Sequence, residues 1–440
     1  MTNTVATQST AVGKAAVPWP MLSALMGGTA AMRKAGKLFL QPWPKEDEDA
    51  YKARLQTSVL HNVFLKTVRV MAAKPFVQDA VITPPIPAEL AEIEEDCDRQ
   101  NSSLNEFFAD RFIECLAFGL TGVLVDYSGN GGRTVEDDKK TGARPYFCAY
   151  PCQSILGWRV GDDGKLSQLR LLENITEHIG EFGEKEIQQV RVLQVGTWAI
   201  YRKNDKDEWV LHGDGATSLD CIPFVFFYGV KNGFGLGESP LLDLAYQNVE
   251  HWQSSSDQQS ILHVARVPIL FARGFGDSSI IIGAGMATKS DDEHAELKWV
   301  EHSGAAIAAG SESIAALEQR MKESGAELLV KRAGNTTATQ VLSENEANRS
   351  TLENTIDEFE SSAEQCVQLA AKWVGSSYVP EIEFFKDFAI GANDSDMATI
   401  LEAKKEGVIA PDRVKKEMIR RNMIAPDSAN DAMPTVPKSD

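Results

Sequence analysis

The sequence predicts an α+β protein of 440 residues, in which helical segments flank an antiparallel sheet. Apolar residues recur every three or four positions in the first third of the chain and again in its C-terminal half. Between about residues 145 and 230, short β-branched and aromatic runs follow one another with no helix between them. Consecutive strands joined by short turns pair antiparallel, which separates this chain from an alternating β/α protein.

Composition and charge narrow the possible functions. Hydrophobic residues make up 43% of the chain, and the length suggests two or three packed units. The formal net charge is −19, so neutralising phosphates cannot supply much binding energy. This charge therefore argues against tight wrapping of nucleic acid, whereas a surface past which DNA slides is compatible with it.

The cysteines and histidines do not form a pattern typical of a catalytic or metal site, and no segment is typical of a membrane span. The six cysteines are scattered as in a reduced protein, and we interpret Cys148 and Cys152 as structural. The seven histidines lack metal-ligand spacing, so we expect no metal and no cofactor. No apolar run is long enough to span a membrane, and Met21–Met32 does not read as a signal peptide. We expect the protein to be cytosolic when made and to have no membrane partner.

The N-terminal third is predicted to contain an arm and two helical stretches. Residues 1–45 are interpreted as a loosely ordered arm that docks through its tryptophans. Helical spacing predicts one amphipathic helix from Tyr51 to Ala73, and three prolines mark Val81–Pro87 as a connector. Ala88–Phe118 is again helical, with a break and a new cap near residues 101–103.

Strands are predicted next, first at Gly122–Tyr127 and then in a closely spaced series. The predicted strands of this series are Ile155–Val160, Leu166–Leu172, Gln189–Tyr201, Trp209–His212 and Pro223–Tyr228.

Helices dominate the C-terminal half. Ser239-Pro240 begins a helix of some 25 residues that ends near Pro268, and another helix covers Ile314–Leu329. Strand-like pieces lie between them at Val267–Phe271 and Glu296–Val300.

The clearest periodic helix follows. Its apolar seam steps by four and three through Leu352, Ile356, Phe359, Ala363, Cys366, Ala370 and Trp373. Its other positions include Glu344, Glu346, Glu353, Asp357, Glu358, Glu360 and Glu364, which predicts one strongly acidic side. A strand at Glu381–Phe385 and a small helical pair come next, and the tail from Pro426 is predicted to be disordered.

Three segments each allow a chemical and a structural interpretation. Gly233–Gly237 could cradle phosphate between a strand and a helix, or could be a glycine-rich turn. The loop with Lys331, Arg332, Asn335, Thr336 and Thr337 could touch DNA phosphates, or could be a solvated loop that caps the next helix. The basic cluster of Arg413, Lys415, Lys416, Arg420 and Arg421 suggests a helix-turn-helix or a solvated face. The chain contains neither a GxSxG nucleophile motif nor a Walker motif, so no catalytic residue is assigned.

Over roughly Tyr51 to Ile424 the order of these pieces resembles tailed-bacteriophage portal proteins, also called head-to-tail connectors. Stretches that carry the resemblance are Tyr51–Leu55, Arg144–Tyr146 with Ile155–Trp158, Glu238–Leu244, Val300–Gly304 and Thr337–Gln340. The resemblance implies a portal fold divided into an N-terminal arm 1–45, wing 46–237, first stem helix 238–265, clip 266–310, second stem helix 311–330, tunnel loop 331–340, spine helix and wing return strand 341–387, crown 388–425 and tail 426–440.

The resemblance also implies a function and a set of partners. Portal proteins form a ring of about twelve copies at one capsid vertex of the virion, through which double-stranded DNA is packaged and ejected. Expected partners are other copies of the chain, DNA in transit without sequence specificity, the terminase large subunit, head-completion or tail adaptor proteins and the major capsid protein. The Lys331–Thr337 loop would line the DNA channel. Two alternatives remain: an oligomeric virion or adaptor protein without a channel, and a phosphate-ligand enzyme that uses Gly233–Gly237.

Overall fold

The computed structural model describes residues 3–128, 143–265, 269–275, 292, 294–300, 305–330, 350–386 and 388. The chain forms two compact units, Met1–Lys386 and Asp387–Asp440, and nearly all described residues belong to the first. The predicted tunnel loop, all of the predicted crown after residue 388, and the basic cluster at 413–421 lie outside the described residues.

The described residues contain ten α-helices, separated or extended by short 3-10 turns. The helices are α1 Thr10–Ala15, α2 Trp19–Met26, α3 Gly28–Ala35, α4 Glu48–Thr57, α5 Val63–Ala73, α6 Glu92–Glu95, α7 Leu104–Phe118, α8 Leu242–Ala265, α9 Ala305–Ala326 and α10 Thr351–Trp373.

All strands within the described residues pair antiparallel. The strands are β1 Val81–Thr83, β2 Leu120–Tyr127, β3 Pro145–Pro151, β4 Ile155–Val160, β5 Leu166–Ile179, β6 Gly183–Gln194, β7 Thr197–Lys203, β8 Trp209–Ala216, β9 Phe224–Tyr228, β10 Val230–Gly233, β11 Leu236–Glu238, β12 Ile269–Arg273, β13 Glu296–Val300 and β14 Glu381–Glu383. A five-stranded sheet has the order β4-β5-β6-β7-β8 and a three-stranded sheet the order β3-β2-β9, while β1-β14, β10-β11 and β12-β13 form two-stranded pairs. The predicted α+β class with antiparallel sheets is confirmed.

The central core lies where α7 and α10 cover the three-stranded sheet. Phe359 of α10 is fully buried, and its ring centre lies 5.0 Å from that of Phe112 and 4.9 Å from that of Phe227. Phe384 closes this cluster at 5.6 Å from Phe359. The seam predicted from Leu352 onwards is therefore a packing surface, because its apolar side chains bury against this sheet.

Local signals fix the ends of α7. The Ser103 hydroxyl accepts a hydrogen bond from the Glu106 N–H, and the Glu106 carboxylate accepts one from the Ser103 N–H, which completes a capping box. At the other end Gly119 takes a left-handed φ of 80°. A Cβ there would overlap the backbone of Glu238 and Ser239, so glycine lets the end of β11 approach the junction of α7 and β2.

The N-terminal arm is not loose, and that prediction is wrong. Residues 10–35 form α1, α2 and α3, and Trp19, Leu22 and Leu25 are buried against the neighbouring helices. The sequence did not reveal this packing, because the partners of these apolar residues are distant along the chain.

The predicted helix from Tyr51 to Ala73 is divided into α4 and α5. Arg33 donates two hydrogen bonds to the Ser58 carbonyl, at 3.0 and 2.8 Å. Asn62 caps α5 by accepting from the Leu65 N–H and donates to the Leu25 carbonyl at 2.6 Å. These contacts with α2 and α3 end one helix and begin the next, which periodicity does not reveal.

Several boundaries in the sheet and helices also differ from the prediction. Gln189–Tyr201 is not one strand, because Gly196 turns the chain with a φ of 74° between β6 and β7. The connector at Val81–Pro87 contains β1, which pairs with β14, and β14 covers only Glu381–Glu383 of the strand predicted at Glu381–Phe385. The second long helix begins at Ala305 and not at Ile314.

Candidate functional site

Two long helices, α8 and α9, pack against each other through polar contacts. Gln247 donates to Ser324 Oγ at 3.1 Å, and Gln258 donates to the Ile307 carbonyl at 2.9 Å. As the chain advances along α8, its partners retreat along α9, so the two helices run antiparallel. We call them the helix pair.

The two helices approach closely at a glycine. A Cβ on Gly310 would overlap Oε1 of Gln258, whose Nε2 is held by the Ile307 carbonyl and by Ser311 Oγ at 3.1 Å. Gln258 is 8% exposed, so its amide could not turn freely away. Gly310 therefore provides the space that this hydrogen-bonded amide occupies.

The inner face of α8 is anchored to the body of the first unit. Asn248 accepts from the Phe64 N–H at 2.9 Å and donates to the His61 carbonyl at 3.0 Å. His251 is 3% exposed, with its Nε2 at 3.2 Å from Glu318 of α9 and its ring 5.3 Å from that of His61. Its Nδ1 has no hydrogen-bond partner among the described residues.

The N-terminal segment fastens the outer part of the same helix. Trp43 donates to Asp257 Oδ1 at 3.0 Å, and Gln253 donates to the Phe39 carbonyl at 3.0 Å. Arg54 stacks over Trp43 with its guanidinium carbon 4.4 Å from the ring centre. The arm does dock through Trp43, but as part of a folded segment.

The charge of the helix pair is predominantly negative. Six carboxylate residues stand on the two helices against two basic residues, Arg320 and Lys322. The carboxylates are those of Asp243, Glu250, Asp257, Glu312, Glu318 and Glu323. Most of them are exposed, so the helix pair presents an acidic surface.

One end of the helix pair carries a small two-stranded element. β12 and β13 pair antiparallel from Ile269↔Val300 to Arg273↔Glu296. The exposed ring of Phe271 lies 5.4 Å from the Lys298 ammonium. This element follows α8 and precedes α9 in the chain, as predicted for the strands at 267–271 and 296–300.

At the other end the chain passes from α9 to α10 through the predicted DNA-contacting residues. All five of them, Lys331, Arg332, Asn335, Thr336 and Thr337, lie outside the described residues. Their flanks are fixed: Leu328 is 4% exposed, and Ser350 caps α10 with a capping box to Glu353. The turn at 327–329 contacts α10.

Part of the acidic side of α10 has a structural role that the sequence did not reveal. Glu360 accepts from the Phe384 N–H at 2.8 Å, and Glu364 accepts from the Ile382 N–H at 3.0 Å. Lys386 bridges Asp357 and Glu360. Burial raises the pKa of Glu360, although these donors act in the opposite direction. These carboxylates hold β14 on the helix and are not simply a solvated face.

The glycine-rich segment at 233–237 is a tight β-hairpin between β10 and β11. The Gly235 N–H donates to the Tyr228 hydroxyl at 2.9 Å, and a Cβ on Gly237 would overlap the Gly119 carbonyl. A phosphate cradle needs free N–H groups at a helix N-terminus. The hairpin uses its glycines for close packing, which favours the structural interpretation.

The cysteines are free thiols in surroundings that disfavour their ionisation. Burial raises the pKa of all six, that of Cys148 to about 12. A raised pKa disfavours the thiolate that nucleophilic chemistry requires. The described residues contain no cluster of three or more potential metal ligands. No helix within the described ranges is long and apolar enough to cross a membrane.

Comparison with known proteins gives one family match. A family described as "Domain of unknown function (DUF4055)" matches residues 240–374. The matched region runs from the start of α8 to the end of α10, and so spans the helix pair, the two-stranded element and the loop segment. No curated protein matches the chain.

Solved structures with a related chain path come from gene transfer agent (GTA) particles. A chain of the virion of the native particle is 11% identical, with 82% of this chain and 89% of that chain covered and a TM-score of 0.47. A chain of the neck of the empty particle, computed with C6 symmetry, is also 11% identical, with 82% and 90% covered and a TM-score of 0.47. A neck of the native particle, computed with C12 symmetry, gives 10% identity, 81% and 89% coverage and a TM-score of 0.45.

Proposed function

We propose that this chain is a subunit of a phage portal, a non-enzymatic ring of about twelve copies through which double-stranded DNA passes into and out of a capsid. The order of elements from α8 to α10 carries the proposal. Two antiparallel helices are joined at one end by a two-stranded element and lead at the other end through a loop into a long packed helix. This is the order expected for stem, clip, stem, tunnel loop and spine.

The negative charge of the helix pair supports a channel through which DNA moves without being bound tightly. Phosphate contacts with basic residues strengthen binding and make it salt-dependent. A surface with three carboxylates for every cation repels the duplex, so DNA can move past it without being trapped. Lys331 and Arg332 would then supply brief contacts at one level of the channel.

The remaining parts of the proposal are the expected partners. The two-stranded element β12–β13 would face the terminase large subunit during packaging and the head-completion or tail adaptors afterwards. The segment 388–425 would face the capsid interior, where the major capsid protein surrounds the ring. The protein would act at the portal vertex of the virion after synthesis in the host cytoplasm.

Imaging and mass measurement of the purified full chain test the ring. We expect closed particles of about twelve subunits with a central hole wide enough for a duplex. Closed particles without such a hole would favour an adaptor protein. A stable monomer or dimer at tens of micromolar would overturn the proposal.

The loop assignment has its own test. Replacing Lys331 and Arg332 with Ala should leave the ring intact and reduce DNA packaging or retention in a packaging extract. The matched control replaces two exposed lysines elsewhere, Lys14 and Lys206, with Ala. Equal packaging by both double variants would refute the role of the loop.

A further inference from the structure

A two-stranded ribbon projects from the five-stranded sheet. Strands β5 and β6 remain paired through Asn174↔Gln188 to Ile179↔Gly183. Strand β4 pairs with β5 only as far as Leu171, and β7 pairs with β6 only from Gln189. Among the described residues the projecting part therefore has no neighbouring strand on either side, and it extends about 20 Å. We call residues 174–188 the ribbon.

The surface of the ribbon is unusual for a free element in water. Phe182 in its turn is 90% exposed, and Ile179 is 56% exposed. Glu181 and Glu186 are exposed and form no ion pair within the described residues. An isolated two-stranded ribbon is marginally stable, and an exposed aromatic at its tip is typical of a docking element.

A surface of complementary character lies on α5. Lys66, Arg69, Val70 and Ala73 are exposed and share one face of α5 at helical spacing, and Val77 is exposed directly after the 3-10 turn at 74–76 that extends the helix. Val70 is 50% exposed and Val77 is 64% exposed. Lys66 and Arg69 make no ion pair with any described residue, and residues 63–77 contain no carboxylate. We call this surface the α5 face.

Basic and acidic residues are also unevenly distributed along the whole chain. Residues 1–75 carry ten Lys and Arg against four Asp and Glu, although the protein as a whole has a charge of −19. The remainder is therefore more acidic than the total suggests. Each molecule thus has a basic N-terminal region and an acidic remainder, and two copies can satisfy each other head to tail.

We propose that the ribbon of one copy docks on the α5 face of the next copy. Both surfaces are exposed in the single chain, so they do not cover each other within one molecule. The proposed contact therefore joins different molecules. Phe182 would cover Val70 and Val77, while Glu181 and Glu186 would meet Lys66 and Arg69. The two surfaces differ, so the contact is heterologous and closes when repeated around a ring. The inference rests on the proposed function, because the ring supplies the neighbouring copy.

Site-directed cross-linking tests the contact directly. F182C and V70C are prepared as separate full-length variants, one of them carrying a mass tag, and are mixed before assembly and oxidation. We expect a tagged–untagged dimer on a denaturing gel. F182C mixed with V210C is the matched control, because Val210 is 42% exposed and lies on β8, which is not part of the α5 face. Assembled particles that give no F182C–V70C product would overturn the inference.

Charge exchange provides an independent test. The E181K/E186K variant and the K66E/R69E variant should each raise the protein concentration at half assembly about tenfold, because the contact then brings like charges together. A chain that carries all four changes should recover wild-type assembly. Circular dichroism melts check that each variant is folded. Unchanged assembly of both double variants, or no recovery in the fourfold variant, would refute the contact.

The outcomes separate this inference from the proposed function. Rings that form normally and ignore the exchanges leave the portal proposal intact and exclude the ribbon contact. Open filaments that respond to the exchanges support the contact and exclude the closed ring. A wild-type chain that stays monomeric overturns both, and cross-linking of the ribbon only to a different virion protein overturns the second-copy assignment.

Discussion

Arg54 and Glu46 form a two-point ion pair beneath the N-terminal segment. Arg54 Nε lies 2.8 Å from Oε1 and Nη2 lies 2.7 Å from Oε2 of the carboxylate. Their side chains are 4% and 3% exposed. Arg54 also donates to the Gln41 carbonyl at 2.8 Å and lies 3.6 Å from Asp257 of α8. This pair thus joins α4, the preceding loop and the helix pair.

Replacing Glu46 with Gln should lower the free energy of unfolding by about 2 kcal/mol, because the change weakens a covered, charge-assisted contact. The measurement is urea denaturation followed by circular dichroism. The control is E48Q, which breaks the exposed pair between Lys37 and Glu48 and should cause no measurable change. Equal losses in both variants would show that exposure does not decide the effect.

The same pair predicts a pH dependence. The hydrogen bond from Arg54 holds the pKa of Glu46 below its usual value. Its contribution to stability is therefore complete above the unfolded-state pKa of about 4.3 and is lost as the pH falls through the folded-state pKa. Between about pH 5 and pH 2, the unfolding free energy of the wild type should fall more steeply than that of E46Q. Parallel slopes would contradict this assignment.

Gly119→Ala should destabilise the protein by about 3 kcal/mol or more, because the added methyl overlaps the backbone at Glu238 and Ser239. Gly164 is the matched control, since it has a similar φ of 76° and nothing within 4 Å of an added Cβ. Gly164→Ala should cost only about 1 kcal/mol for the left-handed backbone. Chemical denaturation of both variants separates the steric cost from the conformational cost.

Phe359→Ala should lower the unfolding free energy by about 3–5 kcal/mol, because a fully buried ring leaves a cavity between α7, β9 and α10. Phe182→Ala removes the same ring at a position that is 90% exposed and should leave the monomer as stable as the wild type. Denaturation under non-assembling conditions checks both. A large loss in the second variant would show that the ribbon tip packs within its own chain.

Gly310→Ala and Gly13→Ala should change the free energy of unfolding in opposite directions. Both glycines lie in helices, where alanine normally gains up to about 1 kcal/mol. An added Cβ at Gly13 has a nearest neighbour at 3.8 Å, whereas at Gly310 it would displace the hydrogen-bonded amide of Gln258. Hydrogen exchange in α8 and α9 should therefore quicken in the Gly310 variant only. Unchanged protection would mean that the Gln258 amide moves aside without a loss of stability in the helix pair.

Local periodicity and caps predicted much of the fold. The seam from Leu352 to Trp373 predicted α10, and the break near residues 101–103 predicted the capped start of α7. Such signals lie within one or two turns of the residues they control, so they are visible in the sequence. The strands at 155–160 and 296–300 were likewise placed by their β-branched and aromatic content.

The sequence by itself determined the α+β class, the order of the elements and the predominance of carboxylates along α8 and α9. Only the tertiary structure decided that α4 and α5 separate at Ser58, that Gly233–Gly237 is a packed hairpin, and that Glu360 holds the strand at 381–383. The physical reason is distance along the chain. Arg33, Tyr228 and Phe384 reach these positions from other elements, and no local pattern records a partner that is brought near by folding.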